Sequence, residues 1–438
     1  MKSTKIVVSL LGVVVLALSG CGTTSSSSQG GTSTSAASTN ADLKCTLTIA
    51  GPQSQAWYIQ NCVQDFLTAN KYDNVKFKMM ALGEDKADTD ITDWTTGPDV
   101  YAFASDKLMN LKKAGALSTV PSTYATKMTT DMGETSVSAG KIGDTQLGYP
   151  YAGDNGYFLY YNTDLVPADK TDTFEHIVAA CASKGVKFAY PFNTAFYSMG
   201  ELMTWGAGYT VTLKSDASGI ASIKGTFNTD KGLKAAKAMK QMMDNPNVSY
   251  KSGCQAAPTS ANKIGAVVDG SWNAASYTSA LEVKDASGKV TGNKLGACKL
   301  PTITVDGETK NIASYLGYKE YGVNPLVSGT DTARLALDHA LANYLVSESV
   351  QSGRFDAFQT APTNKTVAAL DKVKNNICVN AINEQAKYAI PQTVVPAGVW
   401  KAPDSLYAGL DDKSISTDDQ ITTALVALNT KVEDINAK

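Results

Sequence analysis

Several side chains in this sequence stand where they would meet a ligand rather than a core. Trp272 closes the apolar run Ile264–Asp269 behind Gly270 and Ser271, and a tryptophan on a post-strand loop can offer a flat ring to a ligand. Trp400 follows Pro391 and Pro396, which make its segment a loop. Asp106 and Lys107, with Phe103 before them, follow a strand end at Ala104, the rim where open α/β sheets hold ligands. Asp154 and Asn155 offer a carboxylate and an amide, although Asp-Asn-Gly is also a good turn. Gln53 and Gln55 follow the first strand and offer amides; Phe196 and Tyr197 add rings, the tyrosine able to stack and hydrogen-bond at once. Trp57 and Trp205 lie on helical stretches, where core packing is the competing role, as it is for Phe103. Rings of this kind cover apolar faces, while hydrogen bonds to charged groups contribute roughly 1.5–3 kcal/mol each. Together they suit a neutral polar ligand.

Catalytic motifs are missing. There is no H-E-x-x-H and no G-x-S-x-G. Gly133 to Gly140-Lys141 has the wrong spacing for a phosphate-binding loop, and Ile142 follows where Ser or Thr is needed. His176 and His339 sit beside Glu175 and Asp338, but adjacent helix positions do not face one another. With two histidines and no C-x-x-C, a zinc or redox centre has little to work with. The expectation is a binding protein, not an enzyme, with no cofactor and no metal.

The first forty residues say where such a protein works. Lys2 and Lys5 precede an apolar run from Ile6 to Leu18, well short of the roughly 20 residues that span a bilayer, and Leu18-Ser19-Gly20-Cys21 follows. This pattern resembles a bacterial lipobox, so residues 1–20 read as an export signal and Cys21 as the lipidated mature terminus. Residues 21–41 form a Ser/Thr/Gly tether that cannot bury enough apolar surface to order itself. The rest, 43% of the whole chain being hydrophobic, is long enough for two domains or one bilobed body. Removing the signal makes the net charge of −2 two units more negative, and no basic stripe appears, so nucleic acid is excluded as a partner. Six further cysteines (Cys45, Cys62, Cys181, Cys254, Cys298 and Cys378) permit up to three disulfides outside a membrane, Cys45 with Cys62 among them.

Strands must position these groups. Leu43–Ala50, Val75–Met80 and Asp99–Ala104 read as strands around a helix at Gln55–Ala69, the alternation of a parallel α/β sheet. A second block has strands at Tyr157–Tyr161 and Ile264–Asp269. Its helices fall near Phe174–Lys184, Ala195–Gly206 and Asp230–Asp244. Val283–Gly307 reads as a surface hairpin, Asp331–Val346 and Asp418–Ile435 as helices. No linker separates the blocks, which suggests a chain that crosses between them more than once.

Four segments in this order resemble the extracellular solute-binding proteins of ABC importers, in their maltose/maltodextrin-binding branch. They are Gly97-Pro98-Asp99 with the strand to Asp106-Lys107, Tyr149-Pro150 with Tyr161-Asn162-Thr163-Asp164-Leu165, Asp269-Gly270-Ser271-Trp272, and Ile390-Pro391-Gln392 with Trp400. The chain departs from the family around Asp154, which is one residue longer, in the late position of Trp400, and in its extra cysteines. The resemblance implies a two-lobed periplasmic-binding-protein-like α/β fold of type II. Its lobes would be residues 42–153 with 315–362 and 154–314 with 363–438. It further implies that Asp106 and Lys107 bond sugar hydroxyls, that Asp154 or Asn155 takes the hinge carboxylate's place, and that Phe196 or Tyr197 supplies a ring beside Trp272 and Trp400. The expected partners are a neutral oligosaccharide, α-glucans favoured, and an ABC permease. A monomer meeting the membrane through its lipid alone is the expected state. Another oligosaccharide or solute class is the alternative, and so, at greater distance, is a secreted glycoside hydrolase with two carboxylates across the bond.

Overall fold

The computed structural model describes residues 40–437 apart from 217 and 393; the expected export signal, the expected lipidation site Cys21 and the expected tether up to residue 39 lie outside the described residues. A ten-stranded sheet runs through the body. Its strands are β1 (Thr46–Gly51), β2 (Lys76–Ala81), β3 (Val100–Ala104), β4 (Tyr149–Asn162), β5 (Lys187–Ala189), β6 (Val248–Ser249), β7 (Ile264–Gly270), β8 (Leu295–Cys298), β9 (Ser314–Val323) and β10 (Ala389–Pro391). The order is β6-β5-β7-β4-β9-β3-β1-β2, with β8 paired to β4 and β10 to β9.

The sheet is parallel towards its two ends, where β1 pairs with β2 and β3, and β5 with β6 and β7. It is antiparallel in the middle, at β3–β9, β9–β4 and β4–β7. The parallel sheet expected from strand–helix alternation therefore holds only where helical crossovers return the chain in one direction. β4 and β9 enter from elsewhere in the chain and run against their neighbours.

Burial sorts the molecule into two lobes. Two clusters of buried side chains draw on residues 47–152 and 321–350; two others draw on residues 157–315 and 355–432. In the first lobe, Ile59, Cys62, Val63, Phe66 and Leu67 share the inner face of the helix Ala56–Ala69, at the spacing an amphipathic helix requires. β4 joins the lobes as one extended strand. Its first half pairs with β9, from Tyr149↔Tyr321 to Gly156↔Leu316, and its second half pairs with β7 and β8. Tyr149 and Tyr151 are thus core residues of one lobe, and Tyr157 and Leu159 of the other. A side chain at Gly156 would meet Leu316 Cδ1 at 2.8 Å, so the crossing needs glycine there. β9 makes the second join, with Tyr315 in one core and Tyr321 in the other.

The helices Phe174–Ser183, Ala195–Met203, Asp230–Met243, Thr332–Leu345 and Asp418–Glu433 lie where periodicity predicts them. Three expectations are corrected. The strand expected at Tyr157–Tyr161 is the end of the much longer β4, and Asp154-Asn155-Gly156 is extended rather than a turn. The hairpin expected over 283–307 is two hairpins, Glu282–Lys284 with Val290–Asn293 and Thr302–Val305 with Glu308–Asn311. Between them the apolar β8 joins the main sheet. Finally, the six cysteines are free, Cys45 and Cys62 included. Cys62 interacts with the Tyr58 hydroxyl on its own helix, and burial pushes the Cys181 and Cys378 thiols up to about 12, so they act as small apolar groups.

Candidate functional site

A cleft of about 620 Å³ opens where β3 and β7 end and β4 crosses between the lobes. One wall is aromatic. The helix Ala195–Met203 starts at this wall and places Phe196 and Tyr197 on it. Trp272 comes from the turn Ser271–Asn273 after β7, and Trp400 from the turn Ala397–Trp400. Phe196 is central: its ring lies 6.0 Å from Trp272, 6.1 Å from Trp400 and 5.2 Å from Tyr157, and is stacked with Tyr315 at 6.3 Å. Trp272 is 45% exposed, which leaves a large flat surface open to a ligand. Its six-membered ring lies over Gly270, in space that any side chain there would enter.

The other wall is polar and ion-paired. Lys107 Nζ sits 2.8 Å from Asp106 Oδ2 and 4.0 Å from Asp88 Oδ1, and 5.9 Å from the centre of the Trp400 ring. Burial pushes the Asp106 carboxyl up, and Lys107 offsets part of that rise. Lys319 from β9 lies 3.4 Å from Asp154 Oδ1 and 5.9 Å from the Trp272 ring. Burial works against its ammonium, yet Asp154 and Glu84 hold its pKa above the ordinary value, so it stays charged. Glu84 accepts a 2.6 Å hydrogen bond from the Tyr151 hydroxyl, and Asn155 donates to Gln392 Oε1 at 3.0 Å. The charges on the lining, Glu84, Asp85 and Asp106 against Lys86, Lys107 and Lys319, balance formally.

Seven of the residues singled out from the sequence line this cleft: Asp106, Lys107, Asn155, Phe196, Tyr197, Trp272 and Trp400. Five do not. Asp154 is buried beneath the lining, held by Lys319 and by the amide of Ala361 at 2.9 Å. Phe103 packs in the core with Leu108 and Leu147, and Trp205 in the core of the second lobe. Gln55 is buried and accepts from the Arg354 guanidinium. Trp57 is exposed on its helix, with its ring 5.8 Å from Phe358. The sequence reading missed Ser54, Glu84, Lys86, Lys319 and Gln392, all on the lining. Gln392 could have been found, since it stands in the quoted Ile-Pro-Gln segment. Lys319 could not, because nothing local tells a buried strand lysine from an exposed one.

Neither histidine approaches the cleft. His339 is buried between the Tyr149 hydroxyl at 2.8 Å and Ser118 Oγ at 2.9 Å, and burial lowers its pKa to about 4. His176 pairs with Asp172 at 2.7 Å on the surface. Among the described residues no group of three or more His, Cys, Asp or Glu could hold a metal ion, and no helix is long and apolar enough to cross a membrane.

Residues 61–381 match the family of bacterial extracellular solute-binding proteins. Among curated proteins none matches this sequence. Solved structures share the fold. One determined with acarbose is 22% identical, with a TM-score of 0.76, and the match covers 89% of this chain and 99% of that one. A maltodextrin-binding protein from L. casei BL23 is also 22% identical, with a TM-score of 0.71 and the same coverage of both chains. The maltose-maltodextrin binding protein of Alicyclobacillus acidocaldarius is 20% identical, with a TM-score of 0.68, over 88% of this chain and all of the other.

Proposed function

The chain belongs to the bacterial extracellular solute-binding proteins, and from that premise we propose that it captures neutral oligosaccharides, α-glucans foremost, and hands them to an ABC permease. The observation that carries the reading is the combination in one cleft of four rings with a charge-balanced set of carboxylates and lysines. The C–H faces of a pyranose stack on Trp272, Trp400, Phe196 and Tyr197, and its hydroxyls bond to Asp106, Lys107, Glu84, Lys319 and Asn155. Structural neighbours determined with acarbose, maltotetraose and maltotriose support this choice of ligand.

The lobes are residues 42–153 with 315–362 and 154–314 with 363–438, except that Tyr315, Phe355 and Ala361 pack into the second lobe's cores, and closure about β4 and β9 adds the second lobe's contacts to a sugar held on the first. Asp154 acts from beneath by fixing the charge and position of Lys319. The protein works as a monomer at the outer face of the cell membrane, held by a lipid on Cys21 after loss of residues 1–20.

The cleft binds without cleaving. Asp106 is engaged by Lys107, Glu84 by Tyr151 and Asp154 by Lys319, which favours hydroxyl recognition over the free acid and base that glycoside hydrolysis needs. Calorimetry with maltotriose tests the reading. Trp272→Ala should weaken binding by about tenfold, or about 1.4 kcal/mol, with an unchanged melting temperature, and the sugar should be recovered intact. Unaltered affinity in the variant, or shortened products, would overturn it.

A further inference from the structure

Trp272 borders two hollows. Besides the cleft, it lines a separate recess of about 470 Å³ whose other walls include Gln255, Asp269, Asn273, Ser276 and Tyr277. Tyr197 also reaches both, so the two spaces adjoin across this pair of rings.

Asp269 organises the recess. Its Oδ1 accepts from the Gly270 amide at 2.7 Å, Tyr197 at 3.1 Å and Gln255 Nε2 at 3.3 Å; its Oδ2 accepts from Asn273 Nδ2 at 2.8 Å and from Tyr277. A carboxylate with five donors is saturated and has little capacity left for a cation. Its effect is to hold Gln255 and Asn273 in place. Each of these amides spends one N–H on Asp269 and keeps a carbonyl oxygen and a second N–H, and the exposed Ser276 hydroxyl adds one more donor and acceptor. No free charge faces the recess from these residues. Neutral donors and acceptors beside an indole match the rim and face of an uncharged pyranose, as the cleft does, but with fewer contacts.

We propose that this recess is an additional sugar subsite, occupied by a unit of an oligosaccharide chain that continues past Trp272. The inference rests on the oligosaccharide reading above and deepens it, because it makes affinity depend on chain length. Calorimetry on the full chain with maltotriose and maltoheptaose tests it. Maltoheptaose should bind about fivefold tighter, the factor that one net hydrogen bond supplies. Ser276→Trp, which fills the recess from an exposed helix position, should remove that gain and leave maltotriose affinity as it was. Gln255→Ala should reduce the gain in the same direction, and a melting curve for each variant checks folding. Equal affinities for the two sugars in the unaltered protein, or a gain that both variants retain, would overturn the subsite and leave the cleft reading standing. Failure of either sugar to bind at all would overturn the cleft reading, and the subsite with it.

Discussion

Glu320 carries both carboxylate oxygens into a buried place beside Gly140 and Gly148, with no hydrogen-bond partner among the described residues, and burial raises its pKa to about 8. Its ordinary value is 4.5, so between those two values the unfolded chain releases a proton that the folded protein keeps. The contribution to stability is therefore complete below about pH 4.5 and declines as pH rises through about 8. Glu320→Gln stays neutral throughout, and its melting temperature should fall less than the parent's between about pH 5 and 8. A parallel decline in both proteins would show that Glu320 does not titrate in this way. Its neighbour Lys319 points to the cleft, and the two illustrate what a sequence conceals. Lys319 and Glu320 are adjacent in a strand and point to opposite faces, so one at least would be expected in solvent, yet both are buried, one against Asp154 and one alone. Trp272 was legible because a strand end and a glycine announced it. Trp57 was not, because a helical tryptophan gives no sign of which way it faces.

At the scale of elements, the end of β7 sets the aromatic wall. Gly270 gives the Trp272 ring room to lie flat over the backbone, so a methyl group there must displace the ring. Gly270→Ala should lower maltotriose affinity by about tenfold, comparable to loss of the ring itself, although residue 270 need touch no ligand; a titration calorimeter reads this directly. Most helices were readable because amphipathic spacing is local, as in Asp230–Met243 with its buried Ala235, Ala238, Met239 and Met242. Strand partners were harder to read. β8 looked like part of a polar hairpin because Gly, Lys and Asp surround it. Only its pairing with residues 159–162 of β4 reveals it as a sheet member.

For the whole molecule, the two-lobed α/β plan followed from the resemblance and the repeated crossing from the missing linker, whereas the extended form of the crossing did not. Asp154-Asn155-Gly156 is a turn by local chemistry, and long-range pairing with β9 overrides that preference and keeps the chain straight. β4 and β9 contribute core tyrosines to both halves, so neither half owns a complete sheet. Scanning calorimetry should accordingly give a single endotherm whose calorimetric and van't Hoff enthalpies agree. Two resolved peaks would mean that the halves melt independently. The same continuity bears on engineering: a cut at either shared ribbon would leave each fragment with a raw, unpaired border that invites association, so this protein does not divide into portable modules.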